Sequence, residues 1–598
     1  MSENNFDFTV QSIISEIGID TKIEEKPQKI EPSQQAKNAF RRENSGYNSN
    51  ENLVYKKNTF YENLSRKLKK QALIAEKKTE FLTVLLIFSL YLSVATVFNL
   101  PLPSFFVFVD YPYIFVLTNI ILHIFALIAS VDIIIDGFEQ IFMPNINTLV
   151  TFTTFFILAH TLSIVFLENS LGFLPYTPVA IFILQNAQKS ERYLKRSKSY
   201  TYRICSMSTR LAFVSADKKL KSRFVFKNGT FNKENFASSI DKNEKSYFLF
   251  AYFWVFIIFS ISFSIFIAKT DLNLFLWNLA TISALSVPIS YILGWSLPYK
   301  YTSKKLFMDG NAIKSYQDIK KMHKNNLIVL SDKDLFPDNT IFIEQMELFG
   351  NFSEDTIIAY TASGFAKINS CTRQTFEELM KNRYLQPYRC QKVDLIDENG
   401  FTFTVNNQKV SIGNAKFVTS LGLTVTNGLE YPNPIYVVTS SQIAAVFSMK
   451  YTVSPKMYNA ISNLEQNSIK IKVSTLDFSI NSKIIERLYD LPRKSILFDD
   501  FLERYSYLEG KKTLDESILL TRQTGNTYIN AFLQARKLSK TVKINYIFGF
   551  FCSLFGLIIA SYLVYNFTAI LLLPHNILIF LYVWSIPTKI ISFFYNNM

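Results

Sequence analysis

Residues 297–337 read LPYKYTSKKLFMDGNAIKSYQDIKKMHKNNLIVLSDKDLFP. The stretch leaves an apolar segment, passes through an amphipathic pattern and reaches the short apolar run Leu327–Leu330, which predicts a buried strand. Asp332, Lys333 and Asp334 follow that strand directly. Open α/β sheets place their chemistry at the carboxyl ends of their strands. The sequence therefore predicts a reactive sheet edge that lies one helix away from a membrane.

Long apolar runs define the rest of the chain. A chain of 598 residues that is 49% hydrophobic and 15% aromatic is too apolar to be a string of soluble domains. Apolar runs of about 18 residues or more are candidate membrane spans. We predict six to eight spans and prefer eight, although the fourth is short and contains two prolines. They are Phe81–Asn99, Tyr113–Ile135, Asn147–Leu167, Leu171–Gln185, Phe248–Ala268, Leu274–Leu297, Asn545–Asn566 and Ala569–Ile590.

The distribution of charge predicts the orientation in the membrane. The net charge is +15, and Lys and Arg concentrate before the first span and between the fourth and fifth spans. This is the positive-inside pattern rather than a nucleic-acid signal. It predicts that both termini and residues 188–246 and 298–544 are cytoplasmic. The Asn-, Lys- and Ile-rich composition is typical of an AT-rich bacterial genome, so we expect the plasma membrane.

Two further sequence features bound the class of protein. An early apolar core is lacking, so a cleavable signal peptide is not expected. The four cysteines show no paired spacing, which indicates neither a disulfide framework nor a zinc site.

The chain divides into seven predicted segments. Polar residues 1–78 form a disordered cytoplasmic tail, residues 79–187 hold spans one to four, and residues 188–246 form a small basic insert with a hairpin turn at Asn228 and Gly229. Residues 247–298 hold spans five and six. Residues 299–345 and 440–544 form an α/β unit that residues 346–439, an antiparallel meander, interrupt. Residues 545–598 hold the last two spans. TIIAYTA at 356–362 is interpreted as β-rich.

Several motifs occur in the same order as in a known family. They are LSVPISYILGWSLP with KKLFMDGNAI, SDK at 331–333, VNNQKVSIGNAKF, the run ending in TLD at 475–477, and NAFLQARKLSKTVKINYIFGFFCSLFG. Together they resemble P-type ATPases, closest to the heavy-metal-transporting branch, over roughly residues 81 to 590. The resemblance implies a multi-span α-helical membrane protein with a cytoplasmic HAD-like phosphorylation domain, interrupted by an α+β nucleotide-binding-like domain, and a reduced actuator-like insert at 188–246.

The resemblance also implies residues and ligands. Mg²⁺ and ATP are the implied cofactors, and the partners are the lipid bilayer, ATP, a cation and a protein subunit, but no nucleic acid. Asp332 stands at the position of the phosphorylated aspartate. The implied sites are Asp332, Lys333, Asp334, Thr475 and Asp477 for catalysis, Gly400, Gly413 and Asn414 for the nucleotide, and Ser286, Pro288 and Ser290 for the ion path. Gly413 could equally serve a simple turn, and Pro288 a structural kink; no metal ligand is certain.

Departures from the family motifs favour a loss of function. DKTGT has become DKDLF at 332–336, so that Leu335 and Phe336 remove phosphate donors and occupy space. TGD has become TLD, GDGxND and the actuator TGE are not recognisable, and CPC has become Ser286-Val287-Pro288. We therefore predict a degenerate cation-transporting ATPase with lost or reduced ATP hydrolysis, retained as a nucleotide- or ion-binding protein or a regulatory partner. The alternatives are an active pump with divergent motifs, and a membrane-tethered phosphatase that uses Asp332 with Asp334 as general acid.

Overall fold

A computed structural model describes most of the chain after the first 58 residues. It describes residues 59–166, 173–207, 212–219, 222–228, 240, 247–368, 370–396, 399–425, 431–498, 516–521 and 524–597. The first helix, α1, begins at Thr59 and continues to Phe98. Residues 59–78 are thus helical, which corrects the end of the predicted tail; the remainder of that tail lies outside the described residues.

Long helices form the membrane part. By length and composition, six helices of the described chain could cross a membrane, or seven if one bent pair counts as a span. The membrane and stalk helices are α1 (Thr59–Phe98), α2 (Pro112–Ala129), α3 (Val131–Glu139), α4 (Ile146–Phe166), α5 (Thr177–Met207), α6 (Tyr247–Ala268), α7 (Leu272–Ser286), α8 (Ile289–Ile292), α9 (Ser296–Met308), α17 (Gly525–Tyr565) and α18 (Pro574–Asn597), with a 3-10 turn at Ser104–Phe106.

The fourth predicted span differs most from the structure. Described residues of the run 171–185 open the 31-residue helix α5, whose first turns are apolar and buried but whose later turns are polar. A membrane helix of this length needs an apolar stretch of about 20 residues, which α5 lacks. By length and composition, the described helices therefore give six or seven spans rather than the preferred eight.

Helices α1 and α5 pack antiparallel along their lengths. The hydroxyl of Ser65 donates to the Ser199 carbonyl at 2.7 Å, and the Gln185 amide donates to Thr83 at 2.7 Å. Buried residues of α1 recur every three or four positions, as a helix that buries one stripe requires. The first third of the basic insert 188–246 is thus a helical stalk rather than part of a separate domain.

Seven strands form a mixed sheet, the first sheet, beyond the membrane helices. Their order is β12-β11-β4-β2-β1-β13-β3. The strands are β1 (Ala212–Lys219), β2 (Ser222–Asn228), β3 (Asn311–Ile313), β4 (Leu327–Ser331), β11 (Lys470–Ser474), β12 (Ile496–Phe498) and β13 (Glu516–Leu520). Strand β4 is parallel to β11 on one side and to β2 on the other. The predicted α/β unit is confirmed, and a hairpin from the basic insert completes its sheet.

The hairpin turn was wrongly predicted. Asn228 is the last residue of β2 and pairs with Phe213 of β1, so the turn falls between Lys219 and Ser222; Gly229 lies outside the described residues. Phe224, Val225 and Phe226 are buried. Because Asn228 pairs with β1, it does not lie in the turn of this hairpin.

Six antiparallel strands form the inserted unit, the second sheet. Their order is β5-β10-β9-β8-β7-β6. They are β5 (Ile341–Leu348), β6 (Gln391–Ile396), β7 (Gly400–Val405), β8 (Gln408–Gly413), β9 (Pro434–Thr439) and β10 (Gln442–Tyr451). Because β5 and β10 extend to 341 and 451, the inserted unit is longer than the predicted 346–439. TIIAYTA lies in a helix, Glu354–Ile368, in which every residue from Ile357 to Phe365 is buried; a short apolar run does not distinguish a buried helix from a buried strand.

Shorter helices cover both sheets. They are α10 (Tyr316–His323), α11 (Asp332–Leu335), α12 (Glu354–Ile368), α13 (Arg373–Asn382), α14 (Ala415–Ser420), α15 (Pro455–Gln466) and α16 (Ser482–Leu488). One continuous hydrophobic core contains buried residues of both sheets, including Leu330 of the first and Phe403 of the second. Because this core is shared, the inserted unit packs directly on the edge where Asp332 lies.

Candidate functional site at the sheet edge

Parallel pairing brings the predicted carboxylates together. Leu330 of β4 is aligned with Val473 of β11, and Ser331 with Ser474. The residues that follow the two strands, Asp332 and Thr475, therefore leave the sheet at the same edge. Both are buried, as is Asp477.

Asp332 is held by backbone N–H groups from two directions. One carboxylate oxygen accepts from the N–H of Lys333 at 2.8 Å, and the other accepts from the N–H of Cys371 at 3.0 Å. Burial, and the charge of Asp477, raise the pKa of Asp332 from 3.8 to about 6; the two backbone N–H donors only partly oppose this. Cys371 belongs to the inserted unit, so that unit closes over the carboxylate.

Asp477 is held in a similar way. Its Oδ2 accepts from the Thr372 hydroxyl at 2.5 Å, and its Oδ1 accepts from the hydroxyl of Ser479 at 2.6 Å. The N–H of Asp477 donates to the Thr475 hydroxyl at 3.0 Å. Residues 371 and 372, which precede helix α13, thus contact both carboxylates of the first sheet.

Asp334 faces a different set of groups. Its carboxylate accepts from the N–H and the hydroxyl of Ser331, and this reciprocal capping box begins helix α11. Its second oxygen contacts the ammonium of Lys227 at the end of β2. Asp334 is therefore occupied as a helix cap and an ion-pair partner, whereas a general acid must reach a substrate.

Leu335 and Phe336 are core residues. Both side chains are buried in the shared core, and the ring of Phe336 lies edge-on to Tyr451 with centroids 5.5 Å apart. The Tyr489 hydroxyl donates to the carbonyl of Leu335 at 2.7 Å. The turn after Asp332 is thus fixed by apolar packing, where the resembled family has residues that hold phosphate.

An aromatic ring fills the space between the predicted nucleotide-site glycines. Gly400 and Gly413 face each other on β7 and β8. A Cβ at Gly413 would lie 2.1 Å from the ring of Phe417, and one at Gly400 would lie 2.7 Å from it. Asn414 caps helix α14 by accepting from the N–H of Phe417 at 3.0 Å. These residues accommodate a side chain of the protein itself.

The predicted ion-path residues lie at a helix break. Helix α7 ends at Ser286 and α8 begins at Ile289, with a bend of 52° across the pair. The Ser286 carbonyl, which the break leaves without a helical partner, accepts from the hydroxyls of Ser553 and Tyr252. The Ser290 hydroxyl donates to the carbonyl of Trp584 at 2.5 Å. The helix breaks at Pro288 as predicted. The Ser286 carbonyl and the Ser290 hydroxyl form hydrogen bonds to other helices.

Four residues at these sites were not singled out from the sequence. Cys371 and Thr372 contact the carboxylates, Lys227 pairs with Asp334, and Phe417 fills the glycine pair. A Cys-Thr pair before a helix is an ordinary helix start, and a lysine in a basic insert has no distinguishing pattern. Only Phe417 could have been identified from the sequence, because it follows the Gly413-Asn414 pair within one helical turn.

The fold and site define a class of protein. It is a multi-span membrane protein with an α/β unit that carries Asp332 at the edge of its sheet, and an antiparallel unit interrupts that α/β unit along the chain. Solved structures with similarity to the chain include a zinc-transporting PIB-type ATPase in the E2.Pi state, at 10% identity and a TM-score of 0.46, covering 87% of this chain and 99% of that one. A zinc-transporting PIB-type ATPase solved in a second state gives 11% identity, coverage of 82% and 99%, and a TM-score of 0.40.

A smaller structure gives a partial match. The catalytic domain of the CPx-ATPase CopB-B is 13% identical, covers 33% of this chain and 70% of that one, and has a TM-score of 0.24. No protein-family model matches the sequence, and a search of curated proteins gives no match.

Proposed function

We propose that this chain is a P-type ATPase-like integral membrane protein with lost or much reduced ATP hydrolysis, retained as a regulatory or partner subunit. The observation that carries the proposal is the closure of Asp332 by the inserted unit. One carboxylate oxygen accepts from Cys371 of that unit and the other from Lys333. A nucleophile must reach the group that it attacks, and this carboxylate is buried beneath the loop that would have to admit it.

The turn after Asp332 supports the same proposal. Phosphoryl transfer relies on positioning and on stabilising negative charge. At this turn, Leu335 and Phe336 contribute buried apolar side chains, and the nearest lysine from the hairpin, Lys227, is paired with Asp334. Neither arrangement supplies donors to a phosphate beside Asp332.

The implied cofactors fit this chain poorly. Phe417 fills the space that the glycine pair would offer to a nucleotide base. Asp332 and Asp477 are carboxylates of the kind that Mg²⁺ binds, but the third donor beside them is a thiol, Cys371, and Mg²⁺ takes oxygen ligands. We therefore derive no catalytic step through ATP or Mg²⁺.

The proposal includes a location. The positive-inside pattern supports cytoplasmic termini and a cytoplasmic position for the two sheets, and the Asn-, Lys- and Ile-rich composition supports insertion in a bacterial plasma membrane. Lys77 and Lys78 lie on α1, and Arg192 and Lys195 lie on the paired helix α5. All four are on the stalk that leads from the membrane helices to the sheets.

ATP hydrolysis by the full-length protein in lipid nanodiscs tests the proposal. We expect steady-state hydrolysis with Mg²⁺ to be no faster than that of the Asp332→Asn variant. The control is Asp338→Asn, an exposed carboxylate on the same loop. Hydrolysis that Asp332→Asn abolishes and Asp338→Asn preserves would refute the proposal and favour an active pump.

Two further assays address the alternatives. An active pump predicts an acid-stable, hydroxylamine-sensitive phosphoenzyme from labelled ATP at Asp332, and we expect no such label. A phosphatase predicts hydrolysis of p-nitrophenyl phosphate with Mg²⁺ that depends on both Asp332 and Asp334. Because Asp334 is paired with Lys227 and Ser331, we expect no activity of this kind.

A further inference from the structure

Two carboxylates and one thiol converge where the inserted unit closes over Asp332. One ligand atom each from Asp332, Cys371 and Asp477 lies within 4.8 Å of the other two. The two carboxylates come from neighbouring strands of the first sheet, and the thiol comes from the inserted unit. All three ligand residues are buried or half-buried. No spacing in the sequence indicates the group, because its members are 39 and 106 residues apart.

We propose that Asp332, Cys371 and Asp477 form a binding site for a divalent transition metal ion of the Zn²⁺ class, which clamps the inserted unit onto the first sheet. A site with one thiolate and two carboxylates suits Zn²⁺ or Co²⁺ rather than Mg²⁺ or Ca²⁺, which take oxygen ligands. Three protein ligands leave a fourth tetrahedral position for water.

The geometry requires a small contraction. Zinc bonds of about 2.0 to 2.3 Å place tetrahedral ligand atoms roughly 3.5 Å apart. Ligand atoms that already lie within 4.8 Å reach this spacing by side-chain rotation and a slight approach of the loop 370–372. Cys371 loses its thiol proton to solvent on binding, as metal thiolates require.

Electrostatics at the group favours a cation. Asp332 and Asp477 repel each other, and burial removes the water that would screen them. The same two carboxylates and burial raise the pKa of the Cys371 thiol. A dipositive ion between the three donors reverses each of these unfavourable interactions.

A second observation at the same place points to a ligand. A polar pocket of about 430 Å³ adjoins the group and is lined by Ser370 and Cys371, together with Lys333 and Phe336. The Ser370 side chain is 4% exposed, and its hydroxyl has no hydrogen-bond partner among the residues that the structure describes. The pocket offers a path for the ion, and this hydroxyl is a candidate partner for its bound water.

Titration of the full-length, EDTA-treated protein with Co²⁺ and without nucleotide tests the site. We expect one Co²⁺ per chain, with the thiolate-to-metal charge-transfer absorption that only a sulfur ligand gives. Zn²⁺ should displace the Co²⁺, whereas a large excess of Mg²⁺ should not. Absence of the thiolate absorption from the folded protein would overturn the proposal, as would displacement by Mg²⁺.

Matched variants assign the ligands. Cys371→Ser should abolish the thiolate absorption, and Asp477→Asn should weaken Zn²⁺ binding by about tenfold or more, at least the loss typical of an outer-shell partner. The control is Cys390→Ser, a buried thiol of the same inserted unit that is not part of the group. This variant should bind as the unaltered protein does. Retention of the absorption by Cys371→Ser would overturn the assignment.

A third measurement does not depend on the folding of any variant. In the unaltered protein, Zn²⁺ should slow amide hydrogen exchange in residues 370–376, because the ion joins their loop to the sheet. Unchanged exchange there under saturating Zn²⁺ would contradict the clamp. These readouts use no nucleotide, so an ATPase result that refuted the proposed function would leave the metal result standing, and the reverse.

Discussion

The ammonium of Lys227 contacts the carboxylate of Asp334, which joins the hairpin from the basic insert to the strand that carries Asp332. The two residues are 107 positions apart. The Asp334 side chain is only 2% exposed and that of Lys227 17%. A buried ion pair is costly to break, because the remaining charge has lost its partner and is still without water.

We predict that Lys227→Met destabilises the first sheet locally by about 3 kcal/mol or more. The remaining Asp334 carboxylate must either stay charged in an apolar place or bind a proton. Amide exchange in β2 and β4, followed by mass spectrometry, measures the opening free energy directly. Exchange in β2 that is unchanged by the substitution would show that the pair does not hold the hairpin.

An exposed ion pair provides the matched control. Lys450 and Glu344 lie 3.9 Å apart on the second sheet, with side chains 59% and 47% exposed. Lys450→Met should change the opening free energy by less than about 1 kcal/mol, as is usual for exposed pairs. A similar effect of both lysine substitutions would mean that loss of charge in general, rather than this contact, weakens the protein.

Asp332 predicts a pH dependence of stability. Its pKa is raised to about 6 in the folded protein from an ordinary value of 3.8, so the folded state binds a proton more tightly than the unfolded state. The stability that this proton adds is therefore fully present below about pH 4, falls as the pH rises, and is lost above about pH 6. We expect roughly 1 kcal/mol less stability at pH 7.5 than at pH 5.

The variant Asp332→Asn tests that prediction. An amide does not titrate, so the variant should lose this part of the pH dependence, and it should also lose one hydrogen bond, because the amide nitrogen cannot accept from a backbone N–H. The apparent unfolding midpoint at several pH values measures both effects. Asp338→Asn, which changes an exposed carboxylate, should keep the dependence. If Asp332→Asn loses as much stability with rising pH as the unaltered protein does, groups other than Asp332 cause the pH dependence.

The pairing of β4 with β11 could be predicted from the sequence. Leu327–Leu330 is a short apolar run, the segment around Ile471 alternates apolar residues with lysines, and each is followed by a polar residue at the same register. Long apolar runs likewise gave most of the membrane helices. Strand β4 and the membrane helices follow from local pattern, since both contain uninterrupted apolar residues, and β11 follows from its alternation.

The position of the hairpin could not be predicted in the same way. Strand β2 joins β4 through only two aligned pairs, Phe224 with Leu327 and Val225 with Ile328. Alternation in a two-stranded hairpin shows that it has an apolar face, not which sheet buries that face. Cys371 and Thr372 reach Asp332 and Asp477 through the packing of one unit on another, which no local pattern records.

The glycine pair on the second sheet allows a test between two roles. A Cβ at Gly413 would overlap the ring of Phe417, so Gly413→Ala should cost roughly 1–3 kcal/mol, the usual cost of overpacking. In a Phe417→Ala background the added methyl group meets no ring, but the Asn399 carbonyl oxygen, 2.6 Å from the Cβ position, still opposes it, so only part of the cost should disappear. A double-mutant cycle on unfolding free energies measures this coupling.

The opposite result would favour the nucleotide role. If Gly413 admits a nucleotide base, Gly413→Ala should weaken binding of a fluorescent ATP analogue whether or not Phe417 is present. We expect no specific binding of the analogue at this place in the unaltered protein, because the ring already occupies it. Additive costs of the two substitutions would show that the ring of Phe417 does not account for the glycine.

Introducing the sequence of the resembled family after Asp332 is expected to damage the fold without creating a phosphorylated enzyme. The change is Asp334→Thr, Leu335→Gly and Phe336→Thr. Phe336 is buried against Tyr451, so its loss alone should cost about 3–5 kcal/mol, and Asp334→Thr removes the carboxylate that Lys227 contacts. Asp332 would still accept from Cys371 of the inserted unit. Labelled ATP should therefore give no hydroxylamine-sensitive phosphoenzyme in the triple variant.

The control for the loss of a ring is Phe352→Thr, which changes a half-buried aromatic residue elsewhere in the inserted unit. Label at Asp332 in the triple variant would show that these three residues, rather than closure by the inserted unit, account for the inactivity that we propose.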